Sequence, residues 1–120
     1  MAKQRSAIHG GQRRPSQRRA ARLYRLLKSL SQGARGRAQL LRHLRVGMRT
    51  FYRDLELLRA AGIELTLENG KYSLSGSLKD SLELLPFPDP ELSFADVLAL
   101  GKAASQPGRK LRKLYLKLTR

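Results

Sequence analysis

Apolar side chains recur every three or four residues from Ala20 to Leu58, every second residue for a short stretch after that, and at helical spacing again near the end. Ala20, Leu23, Leu27 and Leu30 predict a helix capped by Ser16 and stopped by Gly33, with Tyr24 and Leu26 widening its stripe. After a short hinge from Gly33 to Gly36, Leu40, Leu41 and Leu44 predict a two-turn helix from Arg37 to Leu44. The turn Arg45-Val46-Gly47 leads into a third helix, Met48 to Ala61. Phe51, Leu55 and Leu58 share one of its faces, and Gly62 ends it. The period then changes to two. Ile63, Leu65 and Leu67 alternate with Glu64, Thr66 and Glu68, and Tyr72 and Leu74 alternate with Lys71, Ser73 and Ser75. Asn69-Gly70 between these runs predicts a hairpin with a two-residue turn.

The pattern divides the chain into four parts. Residues 1–15, rich in Lys, Arg, Gln, Gly and Ser, are expected to form a basic disordered arm. Residues 16–75 carry the three helices and the hairpin. Residues 76–92 read as a linker, because Pro86, Pro88 and Pro90 forbid a continuous helix. Residues 93–120 read as a carboxy-terminal helical segment for dimerisation or docking. In it Ser93 caps a helix with Phe94, Val97, Leu98 and Leu100, and Gln106-Pro107-Gly108 breaks it. Leu111, Leu114, Tyr115 and Leu118 line one face of a last basic stretch. The expected fold is mainly α with a small β-hairpin: a winged helix-turn-helix, three helices plus a wing, followed by carboxy-terminal helices.

Charge sharpens that picture. The 120 residues carry a formal net charge of +16, and the first acid, Asp54, follows fifteen Lys and Arg. Residues 1–62 hold a net +14 and the rest only +2. A field so strong and so polarised points to a polyanionic partner, double-stranded DNA foremost. There is no cysteine, which removes disulfides and thiolate chemistry. No run is long and apolar enough for a membrane span, so no membrane partner is expected and the location is read as cytoplasmic, on the nucleoid. Residues 1–35, rich in Arg and without acids, share their composition with organelle transit peptides as well.

The run Arg49-Thr50-Phe51-Tyr52-Arg53-Asp54-Leu55, continuing through Leu58 to Ala61-Gly62-Ile63, resembles the recognition helix and wing entry of DeoR-like bacterial transcriptional regulators. It is most similar to those with a WYL domain downstream, whose pattern is close to R-T-I-Y-R-D-L-x-x-L-x-x-A-G-I. The resemblance extends from about Arg19 to Leu74 and more faintly to Leu100. It implies that Arg49, Thr50, Tyr52 and Arg53 face the bases, that Phe51 and Leu55 lie in the core, and that the chain regulates transcription. The chain departs from the pattern in places. Gly36 and Gly47 stand at helix-capping positions, Arg45 replaces the usual turn glycine, and Leu41 replaces a small residue. Gly47 is the residue expected to take the unusual backbone angle in Arg45's place. Twelve residues after Gly108 leave no room for a WYL domain, so ligand sensing is not carried over and no small-molecule ligand is expected.

Around the reading helix, Arg37, Arg42, Arg45 and Lys71 are the expected phosphate contacts, which position without specifying. Arg13, Arg14, Arg18 and Arg19 belong to the amino-terminal arm and are suited to an adjacent minor groove. Asp54, repelled by phosphates, is read as the structural partner of a nearby Arg. His9 and His43 lack second ligands at metal spacing, and no nucleophile sits near a base. The chain is therefore read as neither an enzyme nor a metal or cofactor protein. Two rival readings stand beside the first: an RNA-binding or ribosome-associated module, and an adaptor docking a larger regulator. A homodimer through residues 93–120 and a monomer both stay open.

Overall fold

A computed structural model describes residues 14–119, which fall into two compact units divided between Pro88 and Asp89. The described residues are mainly helical, with one small antiparallel sheet.

The first unit opens with α1 (Gln17–Ser31), capped by the Ser16 side chain, which accepts from the Arg19 backbone N–H. A two-residue strand, β1 (Arg35–Gly36), leads into α2 (Arg37–Leu44), then α3 (Met48–Ala60). The sequence marked residues 33–36 only as a hinge. Two residues have no periodicity of their own, and β1 exists because it pairs with the hairpin. That hairpin is β2 (Leu65–Glu68) and β3 (Lys71–Leu74), with Leu65 opposite Leu74 and Glu68 opposite Lys71. β3 lies between β1 and β2. Asn69 and Gly70 both have positive φ, as the tight turn predicted from their identity requires.

Leu23, Leu26, Leu27 and Leu30 of α1, Leu40 and Leu44 of α2, and Phe51 and Leu58 of α3 form the core with Ile63 and Tyr72. α3 ends as Gly62 suggests. The Ile63 N–H reaches the Leu58 carbonyl, the Gly62 N–H reaches Arg59, and Gly62 sits at φ 91°. Leu67, at the hairpin's far end, extends past the core and is exposed.

Three expectations are corrected here. The supposed linker contains a helix, α4 (Leu78–Leu84), capped by Ser77. Its prolines all lie beyond it, and Leu78 and Leu85 pack on the core. Arg45, not Gly47, takes the left-handed conformation, at φ 57° and ψ 49°. Its N–H and that of Val46 both reach the Leu41 carbonyl, closing α2 in the geometry that usually selects glycine, while Gly47 is extended as the residue before α3. Finally, Gln106-Pro107-Gly108 begins a helix instead of breaking one.

That helix is in the second unit, which consists of α5 (Phe94–Leu100) and α6 (Gln106–Thr119). Pro107 is tolerated in the first turn of α6, where its missing N–H would have no partner, and Ser105 Oγ accepts from the Gly108 N–H. Ser93 and Asp96 cap α5 reciprocally. Phe94 and Tyr115 meet edge to face at 6.2 Å between centroids. Among the described residues of this unit, Gly101 and Gly108 are the only buried ones.

Candidate nucleic-acid interface

α3 turns one of its two acids inward. Its only aspartate, Asp54, points inward and is 1% exposed. Asp54 Oδ1 accepts from Arg19 Nε at 2.9 Å and Arg22 Nη2 at 3.0 Å, and Oδ2 accepts from Arg22 Nε at 2.6 Å. A buried carboxylate is tolerated only with such charge-assisted bonds, and here two guanidinium groups from α1 supply them. The hydrogen bond to Asp54 raises the Arg22 pKa, against the smaller opposing effect of burial. Arg19 Nη2 also donates to the Arg53 carbonyl at 3.0 Å. The expected pairing of Asp54 with an arginine is met, and α1 thereby grips the middle of α3.

With the aspartate turned in, the outer face of α3 presents Arg49, Tyr52, Arg53, Glu56 and Arg59, all exposed. Thr50 is half-buried at the edge of that face. Arg49 and Arg53 lie one turn apart and so share a face. Tyr52 is engaged sideways. Its hydroxyl accepts from Arg37 Nη1 at 3.0 Å, and its ring meets Phe51 at 5.5 Å. The bond from Arg37 holds the Tyr52 phenol below its ordinary pKa, and the nearby Tyr72 hydroxyl acts in the same direction. Burial, reinforced by the neighbouring Tyr52, pushes Tyr72 up. Arg37, Tyr52 and Tyr72 thus link the start of α2, the second turn of α3 and the central strand. Tyr52 also lines a cleft of about 560 Å³ between α3 and the hairpin, with Leu55, Arg59, Leu65 and Leu67.

The predicted phosphate-binding residues are spread around this face. Arg37 opens α2, Arg42 lies in its last turn, and Arg45 follows it; all three are exposed. Lys71, also exposed, starts β3 opposite Glu68. The arm assignments change. Arg13 lies outside the described residues. Arg14 donates to the Phe87 carbonyl at 2.7 Å, which ties it to the proline segment. Arg18 and Arg19 belong to the first turn of α1, because Ser16 starts the helix ahead of them. Arg19 is paired with Asp54. Sequence reasoning missed Arg22, although a lone acid behind fifteen cations signals that some of those cations must turn toward it.

Among the described residues no three His, Cys, Asp or Glu side chains cluster as a metal site, and no helix is long and apolar enough to cross a membrane. Compared with protein-family models, curated proteins and solved structures, the chain matches none.

Proposed function

We propose that residues 16–75 act as a winged helix-turn-helix that binds double-stranded DNA, with α3 in the major groove, and that the chain regulates transcription. The observation that carries this reading is the placement of charge on α3: Asp54 is neutralised inside, while Arg49, Arg53 and Arg59 are exposed outside with Glu56 as the one acid among them. An arginine on such a face can bond bidentately to guanine, and each such pair is worth roughly 1–3 kcal/mol of discrimination. Arg42, Arg45, Lys71 and Arg18 are the phosphate grips in this reading, and Thr50 a contact at the edge of the groove. Arg37 and Tyr52 act together. The hydroxyl proton of Tyr52 remains available to a phosphate or base while Arg37 donates to its oxygen. Arg19 drops out of the DNA-contacting set, since its guanidinium is committed to Asp54 and the Arg53 carbonyl.

Selection of sites from random duplexes is the test, with structured RNA as competitor at matched salt. Enrichment of a defined duplex motif is expected. Preference for the RNA would replace this reading with the RNA-binding one. Leu114, Leu116 and Leu118 of α6 are about half or more exposed, which favours residues 93–120 as the contact between two copies. A palindromic motif, together with a doubled mass in sedimentation, would support that contact.

A further inference from the structure

On another side of the first unit, α1, β1 and α2 enclose a cleft of about 420 Å³ lined by Arg25, Lys28, Arg35, Gln39 and His43 over a floor that includes Leu40. None of its lining residues belongs to α3 or the hairpin. Its volume is in the range of small-ligand sites. No carboxylate lines it, and among the described residues both ion pairs of the protein go to Asp54, leaving Arg25, Lys28 and Arg35 without an acidic partner. The carboxy-terminal carbonyls of α1 account for one cation at that helix end, Lys28 in the last turn. They do not account for Arg25, one turn earlier on α1, or for Arg35, which β1 brings to the same hollow. Arg35 is also held in place: its strand pairs with Tyr72, and its Nη1 donates to the Ala34 carbonyl at 3.3 Å and lies over Gly33. A concave surface lined by one sign of charge focuses its field on whatever enters. Ser29, Gln32 and Gln39 add neutral hydrogen-bonding groups.

We propose that this cleft is a second anion site that takes a phosphate group, held by Arg25, Lys28 and Arg35, separate from the face of α3 and independent of whether α3 reads bases. The phosphate comes either from a nucleic-acid backbone or from a free phosphorylated small molecule, a ligand class that no motif of the chain pointed to. Forked guanidinium groups beside a lysine and neutral donors suit a doubly charged phosphate oxygen set better than a monovalent anion.

The test titrates the whole chain with inorganic diphosphate, followed by NMR of the arginine Nε–H and backbone amide signals. Saturable shifts at Arg25, Lys28, Arg35 and His43, with Arg49 and Arg53 unmoved, are expected. The combined variant Arg25→Gln, Lys28→Gln, Arg35→Gln should weaken binding at least about tenfold. Gln39→Glu removes no cation but places a carboxylate in the cleft, and it should weaken binding too even where the combined variant folds poorly. Equal, non-saturating shifts at every arginine, or unchanged affinity in both variants, would overturn the proposal. A second arm adds duplex DNA. Displacement of diphosphate by the duplex identifies the backbone as the source, and binding that survives a saturating duplex identifies a free phosphorylated molecule. Failure of base reading by α3 would appear only in Arg49 and Arg53 variants, so the two readings fail separately.

Discussion

Turning Asp54 inward supports the proposed reading face, because it removes one of the two carboxylates of α3 from the side that carries Arg49 and Arg53 and leaves Glu56 as the one acid there. The burial of Asp54 is secured by Arg19 and Arg22. Removing one partner of such a buried cluster leaves the rest uncompensated, so Asp54→Ala should cost about 3–5 kcal/mol in urea unfolding. A cost below about 1 kcal/mol would mean that the cluster does not hold α1 to α3. Arg45 carries a conflict of another kind: a non-glycine residue in the left-handed region at the close of α2. Arg45→Gly should therefore stabilise the fold by about 0.5–1 kcal/mol while weakening DNA binding through loss of a cation. A loss of stability would show that the arginine side chain contributes packing that offsets its backbone strain. Between Tyr52 and Tyr72 the signs are opposite. Tyr52 should ionise below pH 10 and Tyr72 above it. In an alkaline titration followed by phenolate absorbance, Tyr52→Phe should remove the early part of the rise and Tyr72→Phe the late part, and Arg37→Gln should move the early part upward.

Among the elements, α5 and α6 depend on glycine. A Cβ on Gly108 would lie 2.5 Å from the Ala103 carbonyl oxygen, a backbone atom that cannot simply move aside. Gly108→Ala should speed amide exchange across Phe94–Thr119 and leave Leu23, Leu27 and Phe51 protected. Unchanged exchange in α6 would show that the turn adjusts at no cost. Much of the element structure was legible in the chain. The apolar stripes of α1 and α3 and the Asn69-Gly70 turn each follow a strong local period or a backbone requirement, and each lies where the sequence put it. α4 was missed because the prolines after it dominated the reading, although Ser77 followed by Asp80 is a capping signal of the kind that correctly placed α5. β1 could not have been found locally, since its two residues become a strand only through Tyr72 and Lys71. Of the site, the outward arginines were legible from helical phase. Which cations turn inward was not, because fifteen candidates precede one acid and only the packing of α1 on α3 selects Arg19 and Arg22.

At the scale of the whole molecule, charge is concentrated in the half that holds the candidate interface, and a net +16 spread over 120 residues makes weak attraction to any polyanion unavoidable. Overall affinity for DNA is therefore a poor test of the account. Each neutralised phosphate contributes about −0.9 to the slope of log K against log salt, whatever the sequence. Discrimination is the informative quantity, since phosphate contacts cannot produce it. The most direct measurement compares the affinity for a selected duplex with that for its scrambled counterpart, at one salt concentration, in the native chain, in Arg49→Ala/Arg53→Ala and in Arg42→Ala/Arg45→Ala. If α3 reads bases, the first variant loses the preference by roughly tenfold or more while the second weakens both duplexes alike. An undiminished preference in Arg49→Ala/Arg53→Ala, or no preference in the native chain for any selected duplex, would contradict it.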